Sequence, residues 1–243
     1  MINVNSKCAK LKNMALLMST IEELETRESH LPGISVFHGP SGFGKSFSAA
    51  FANAQYNCYY VQAQSSWTKK ALVVAIAREM GIVPAKTIYE ISDQISEQLM
   101  LSERVLLIDE MDHIVDKKAV EIIRDIYEAS NGSILLIGEE NLPNKLKRWE
   151  RFHGRILNFV AALPADFEDA KQLRQTYCEK IEIADDLLKE IHNQARGSVR
   201  RICVNLDRVQ QVCQTQGWKE VDLTGWEDTN YGFFTGEARR RNL

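Results

Sequence analysis

Residues 34–46 read ISVFHGPSGFGKS, an apolar run followed by a glycine-rich turn that ends in Lys45 and Ser46. From Gly39 onward the segment fits the phosphate-binding pattern G-x-x-x-x-G-K-[ST]. The apolar run predicts a strand before the turn, and the small residues after Lys45 predict a helix that begins at this lysine. Glycines let backbone N–H groups converge on phosphate oxygens, and the start of a helix contributes roughly half a positive charge. The segment therefore predicts a binding site for nucleotide phosphates.

The predicted nucleotide is ATP, bound together with Mg²⁺. In this pattern a lysine reaches the β- and γ-phosphates and a hydroxyl ligates Mg²⁺, which assigns these roles to Lys45 and Ser46. The candidate nucleotide-binding residues of the loop are Gly39, Pro40, Ser41, Gly42, Phe43, Gly44, Lys45, Ser46 and Phe47.

A second motif lies downstream, where the buried-strand pattern Val105–Ile108 ends in Asp109 and Glu110. In P-loop nucleotide hydrolases an Asp at the tip of a neighbouring strand holds the Mg²⁺ shell. The adjacent Glu110 is then placed to polarise the attacking water as a general base. An acidic turn after a strand is common, so the catalytic prediction depends on its pairing with the glycine loop. Asp112 and His113 are expected to open the next helix.

Composition limits the class of protein. The 243 residues suffice for one large α/β domain and a small helical one. A net charge of −3 argues against general adhesion to nucleic acid, so any DNA contact requires a local basic patch. Five scattered cysteines without a C-x-x-C pair indicate neither a zinc site nor a disulfide framework. The absence of a membrane-length apolar run and of a secretory signal predicts a cytoplasmic protein without membrane contact.

Strands and helices alternate over the first two thirds of the chain. Strand patterns occupy 34–37, 58–61, 105–108 and 134–137, and helical patterns occupy 6–27, 68–80, 88–100 and 119–129. This alternation predicts an α/β fold, a parallel sheet flanked by helices with its ligand at the C-terminal edge of the strands.

The pattern changes after Pro164 to three helices without a further strand, at 165–179, 185–195 and 199–216. We therefore predict an α/β domain over 1–163, a helical lid over 164–216 and a tail over 217–243. The tail is rich in aromatic residues, which suit docking onto the body or onto a partner, and contains Arg239–Arg241.

These motifs together resemble the AAA+ ATPases, whose fold is a P-loop parallel sheet followed by a small all-helical lid. The family carries its first sensor, a polar residue near the γ-phosphate, after the strand that here spans 134–137. Asn141 fits the usual chemistry, and Glu139 is the counterpart in another register. The resemblance also implies a second sensor at Arg200, in the segment Gly197-Ser-Val-Arg200-Arg201, which reaches the nucleotide in cis.

The segment 145–156, KLKRWERFHGRI, is similar to the arginine-finger segment of the same family. A guanidinium group from one subunit would there meet the γ-phosphate that the next subunit holds. Arg155 and Arg151 are favoured over Arg148 for this role. The alternative is a basic helix end without a catalytic contact.

One branch of the family is similar in more detail. The order of SSWTKKALVVAIAREMGI, DEMDHI and GEENL resembles the transposition ATPases, the group of the phage Mu B protein and the TnsC and TniB proteins, with their ExeA-like relatives. This resemblance implies a protein that oligomerises with ATP, as a ring or a helical filament, on double-stranded DNA. It also implies delivery of target DNA, without sequence preference, to a transposase.

The candidate DNA contacts are two lysine pairs, Lys69 with Lys70 at a predicted helix start and Lys117 with Lys118 after the Mg²⁺ strand. In a ring or filament each pair would repeat along the duplex and form a basic stripe despite the acidic net charge. Solvated lysine pairs are the alternative.

Two other functions remain open. The first is an AAA+ ATPase that acts on a protein partner without DNA, as an ExeA-like assembly factor or a signalling NTPase. The second is a P-loop phosphotransferase with a small acceptor, which the adjacent Asp109 and Glu110 disfavour because a kinase needs no hydrolytic glutamate.

Overall fold

The computed structural model describes residues 8–237. The predicted Arg239–Arg241 cluster lies outside the described residues. Contacts divide the described chain into two compact units. The first consists of Asn13–Pro40 and Lys45–Ala162, and the second consists of 8–12, Ser41–Gly44 and 163–237.

A parallel sheet forms the centre of the first unit. Its five described strands are β1 (Ile34–His38), β2 (Tyr59–Gln62), β3 (Leu106–Asp109), β4 (Ile134–Gly138) and β5 (Ile156–Ala161). Their spatial order is β2-β3-β4-β1-β5, and every pairing is parallel. The expected α/β class is confirmed, since the strands form a parallel sheet that helices flank.

In the first unit, one helix precedes the first strand and the remaining helices connect the strands. These helices are α1 (Lys12–Thr26), α2 (Lys45–Tyr56), α3 (Lys69–Glu79), α4 (Ile88–Ser102), α5 (Asp112–Asp116), α6 (Glu121–Ser130), α7 (Leu142–Leu146) and α8 (Glu150–His153). Side chains define several ends: Thr68 caps α3, and Thr87 forms a capping box with Glu90 at α4. Asn131 ends α6 in the left-handed conformation, which asparagine adopts more readily than most residues.

The core follows from the apolar strand runs. Strands β3 and β4 are buried at every position because helices cover both faces of the sheet. The fifth strand, β5, was not predicted. It lies at the sheet edge next to β1, its residues are half-buried or exposed, and it includes the polar Asn158. An edge strand of this kind has no continuous apolar run for sequence patterns to detect.

The second unit contains α9 (Phe167–Tyr177), α10 (Asp185–Ala195), α11 (Val199–Gln216) and α12 (Leu223–Asp228). The three helices expected after Pro164 are present as α9, α10 and α11, whereas α12 was not predicted and the expectation of no further strand was wrong. Two-residue strands, β6 (Glu182–Ile183) and β7 (Glu220–Val221), pair in parallel. They are too short to produce an alternating pattern.

The aromatic residues after 217 pack within the second unit. Trp226 is 1% exposed, and its ring lies 6.2 Å from that of Tyr231 and 5.7 Å from that of Phe233. Asn205 of α11 binds the same segment, because its amide exchanges hydrogen bonds with both backbone groups of Phe234. Among residues 8–237 no helix is long and apolar enough to cross a membrane.

Candidate nucleotide site

The glycine loop leaves the C-terminal end of β1 and enters α2 at Lys45. Gly42 and Gly44 have φ values of 88° and 83°, which side chains with a Cβ rarely adopt. Gly39 is restricted by space instead, since a Cβ there would lie 2.9 Å from the Cβ of Ala162. The pattern thus has glycine where the backbone must turn or approach closely.

Lys45 lies along its own loop. Its Nζ donates to the carbonyl oxygen of Gly39 at 2.7 Å and to that of Pro40 at 3.0 Å. Burial lowers the pKa of Lys45, while the negative charges of Asp109 and Glu110 act in the opposite direction. The lysine is therefore the nearby positive charge for the acidic pair at the end of β3.

Asp109 ends β3 with 1% of its surface exposed. Its Oδ1 accepts the backbone N–H of Glu110 at 2.8 Å, and its Oδ2 accepts the hydroxyl of Tyr60 at 2.9 Å. Burying a carboxylate is costly unless hydrogen bonds and positive charge compensate it. The neighbouring Lys45 and the two donors provide that compensation.

Glu110 adopts the left-handed conformation, with a φ of 55°. Non-glycine residues in this region are strained and are enriched at functional sites. Burial, followed by the charge of Asp109, raises the pKa of Glu110. The turn places a half-buried carboxylate beside Asp109 and within the electrostatic influence of Lys45, as a general base for water requires.

The loop after β4 carries both candidates for the first sensor. Glu139 follows the strand directly and influences the pKa values of Lys45 and Glu110. Asn141 starts α7, and its Oδ1 accepts a hydrogen bond from Asn144 at 2.9 Å. The geometry brings Glu139 to the acidic pair and directs the amide of Asn141 to its own helix.

Asp112 connects the loop after β4 to the turn that follows β3. It is the first residue of α5, as expected from the sequence, and is 4% exposed. Its Oδ2 accepts the backbone N–H of Glu139 at 2.6 Å, and its Oδ1 lies 3.0 Å from Nζ of Lys145. The buried carboxylate therefore holds the loop after β4 against the turn after β3.

The oxygen groups fit Mg²⁺ bound together with a nucleotide. Mg²⁺ prefers oxygen ligands and commonly combines one or two protein groups with substrate phosphates. Asp109 at the end of β3 and the half-buried Ser46 in the first turn of α2 supply such oxygens. Among the described residues no group of three or more His, Cys, Asp or Glu could hold a metal by itself.

Residues 27–146 match a protein-family model described as AAA domain. This range contains the glycine loop, Asp109 with Glu110, and the loop after β4. The chain has the AAA+ fold. No curated protein sequence matches the chain.

Solved structures agree with this fold. Cdc6p from Pyrobaculum aerophilum is 16% identical over 89% of this chain and 66% of its own, with a TM-score of 0.66. The Aeropyrum pernix ORC1 protein, solved in complex with DNA, is 15% identical over 90% and 63%, with a TM-score of 0.65. The Thermotoga maritima RuvB Holliday junction branch migration motor is 17% identical over 93% and 72%, with a TM-score of 0.61. The chain spans less than two thirds of the length of the two archaeal chains. Sequence identities this low support a shared fold and no more.

Of the three candidate finger arginines, Arg155 directly precedes β5 and so lies at the opposite end of the strands from the glycine loop, and Arg151 lies in α8. Ile156, the first residue of β5, pairs with Ile34 at the N-terminal end of β1. Arg155 pairs with Glu128 at 3.0 Å, whereas the exposed Arg151 has no carboxylate partner among the described residues. Arg148 is exposed as well.

Arg200, the candidate second sensor, lies in the first turn of α11. Ser198 caps this helix, because its side chain accepts the backbone N–H of Arg201 at 3.3 Å. Within the second unit, the backbone N–H of Arg200 donates to the carbonyl oxygen of Gly42 at 3.2 Å. The start of α11 therefore contacts the glycine turn that clusters with it.

The two lysine pairs lie on adjacent segments of the first unit. Lys69 and Lys70 are the first residues of α3, and Lys117 and Lys118 follow α5; all four are exposed. Nζ of Lys117 donates to the carbonyl oxygen of Trp67 at 2.9 Å, which ties the second pair to the segment that precedes the first. Sequence reasoning identified each pair but not their juxtaposition.

Proposed function

We propose that this AAA+ protein binds and hydrolyses ATP with Mg²⁺ and that ATP drives its assembly on double-stranded DNA. The observation that carries the proposal is the convergence of Lys45, Asp109 and Glu110 at the C-terminal edge of the sheet, next to a loop with the glycine conformations that phosphate binding needs.

Each residue has a distinct role in this proposal. Lys45 binds the β- and γ-phosphates, and Ser46 and Asp109 hold Mg²⁺, which neutralises phosphate charge. Glu110 accepts a proton from the attacking water, since its raised pKa makes it a better base than an ordinary glutamate. Glu139 is the favoured first sensor because it lies within the electrostatic influence of both Lys45 and Glu110.

Hydrolysis in this proposal needs a neighbouring subunit. Arg155 directly precedes β5, at the end of the strands away from the glycine loop of its own chain, and Arg151 lies in the preceding helix α8. Either guanidinium could therefore reach a γ-phosphate only on another subunit, which implies a ring or helical filament in the ATP state. Arg200 would contact the nucleotide in cis from α11.

The proposed DNA surface consists of Lys69, Lys70, Lys117 and Lys118. Its support is their exposure and the hydrogen bond that joins their two segments. Lysines at such positions contact phosphates and read no base edges, which predicts binding without sequence preference. Among the similar structures, the Aeropyrum pernix ORC1 protein is in complex with DNA. Delivery of target DNA to a transposase is the specific role that the sequence resemblance suggests.

An AAA+ ATPase that acts on a protein is the second candidate. The net charge of the chain is −3. Val83, in the connection between α3 and α4, is 86% exposed, and Tyr89, in α4, is 73% exposed. Apolar side chains with this exposure suit a protein partner better than a phosphate backbone.

Duplex binding across a salt series distinguishes the two candidates. The wild type should bind duplex DNA strongly with a non-hydrolysable ATP analogue and weakly without it. Lys69→Ala/Lys70→Ala should bind the analogue normally, lose most DNA affinity at physiological salt, and lower the salt slope by about one per lost phosphate contact. Lys180→Ala/Lys189→Ala, which removes two exposed lysines of the second unit, is the matched control. No analogue-dependent duplex binding by the wild type at low salt would favour the protein partner.

A further inference from the structure

Tyr60 is the side chain that meets the Mg²⁺ carboxylate from the neighbouring strand. Strands β2 and β3 are parallel, with Tyr60 opposite Leu107 and Gln62 opposite Asp109. Alternate residues of a strand share one face, and residues two apart are separated by about 6.6 Å. The phenol ring spans this distance, and the hydroxyl donates to Oδ2 of Asp109 at 2.9 Å.

The two oxygens of Asp109 are fixed from two sides. Oδ1 accepts the backbone N–H of Glu110 at 2.8 Å, and Oδ2 accepts the hydroxyl of Tyr60. A carboxylate held through one oxygen can still turn about its terminal bond, because that torsion is broad. A second donor on the other oxygen sets the plane of the group. Each oxygen keeps a further lone pair for a metal ion or for its bound water.

We propose that Tyr60 is a positioning residue that orients the Asp109 carboxylate for Mg²⁺ and so sets the Mg²⁺ affinity of the nucleotide site. This inference rests on the proposed function. Groups that hydrogen-bond to metal ligands fix their orientation, and their loss typically weakens metal affinity about 10- to 100-fold. A tyrosine whose hydroxyl served only to fill space would leave the metal affinity unchanged.

The chain offers a matched control in the adjacent residue. Tyr59 belongs to the same strand and is 2% exposed, but its side chain points to the other face of the sheet. Its hydroxyl accepts a hydrogen bond from Gln98 at 3.0 Å and does not contact Asp109. Tyr59→Phe therefore removes a buried hydroxyl from β2 without altering the carboxylate.

The test is a Mg²⁺ titration of a fluorescent ATP analogue bound to the full chain, with a second series in EDTA. Tyr60→Phe should raise the Mg²⁺ concentration for half-maximal enhancement of binding by about tenfold or more and leave the affinity in EDTA unchanged. Tyr59→Phe should match the wild type in both series. Mn²⁺ titration followed by electron paramagnetic resonance, with the analogue bound, should show the same weakening for Tyr60→Phe alone.

The possible outcomes distinguish the role of Tyr60 from the proposed ATP site on which it rests. Equal Mg²⁺ and Mn²⁺ affinities in Tyr60→Phe and the wild type would overturn the role of Tyr60 and leave the ATP site intact. Equal loss in EDTA and in Mg²⁺ would also overturn it, because the change would then concern nucleotide binding in general. A wild type that binds no nucleotide would overturn both.

Discussion

Replacing Glu110 with glycine should stabilise the protein while it abolishes ATP hydrolysis. Glu110 has a φ of 55°, a conformation that costs a residue with a Cβ about 1–2 kcal/mol. The greater freedom of glycine in the unfolded chain offsets about 0.5–1 kcal/mol of this gain. A net gain of about 0.5–1 kcal/mol should raise the melting temperature by about 1–4 °C for a domain of this size.

Two further variants separate strain from chemistry. Glu103 is an exposed glutamate at the end of α4 with a φ of 54°, so Glu103→Gly should give a similar gain and retain full turnover. Glu110→Gln keeps the strained backbone and loses the base, so it should melt near the wild type and hydrolyse about 10²- to 10⁴-fold more slowly.

The assays are thermal unfolding by circular dichroism and phosphate release from ATP at saturating Mg²⁺. Full turnover in Glu110→Gln would refute the assignment of the base. A lower melting temperature for Glu110→Gly, with the expected rise in Glu103→Gly, would show that Glu110 makes native contacts worth more than its backbone strain.

Three other changes have defined outcomes. Lys45→Ala should abolish binding of a fluorescent ATP analogue, and equal affinity would remove the basis for an ATP site. Arg151→Ala and Arg155→Ala should each bind ATP nearly normally and hydrolyse it slowly, with turnover partly restored on mixing with Glu110→Gln subunits; mixed assemblies without any rescue would exclude both as trans fingers. Gly138→Ala should lower stability by about 1–3 kcal/mol in chemical denaturation, because its Cβ would overlap the buried carboxylate of the α5 start.

The sequence predicted most of the sheet because buried parallel strands are continuous apolar runs. The runs that became β1, β3 and β4 lie within one residue of their predicted ends. It did not predict β5, whose half-exposed residues carry neither a run nor an alternation. The β6–β7 pair was also missed, since two residues cannot establish a period.

The candidate site was predictable where local sequence determines chemistry. A glycine loop, a lysine at a helix start and an acidic pair after a strand can each be recognised from a few consecutive residues, and the structure brings them together. The sequence did not determine in the same way which residue after β4 is the first sensor. Glu139 and Asn141 are both polar and both close to β4, and they are distinguished by the influence of Glu139 on Lys45 and Glu110 and by the hydrogen bond that Asn141 accepts from Asn144.

The contacts that sequence reasoning missed share one cause, the spatial order of the strands. Consecutive strands β1 and β2 are not neighbours, because β4 and β3 lie between them. The apolar runs that form the strands can be recognised in the sequence. The spatial order of the strands depends on packing between distant segments. That order puts Tyr60 beside Asp109 and Trp67 beside Lys117. The segment of β2 therefore contacts the segment of β3 both at Asp109 and at the two lysine pairs. A residue such as Tyr60, unremarkable within its own strand, acquires a role only through the neighbour that this order gives it.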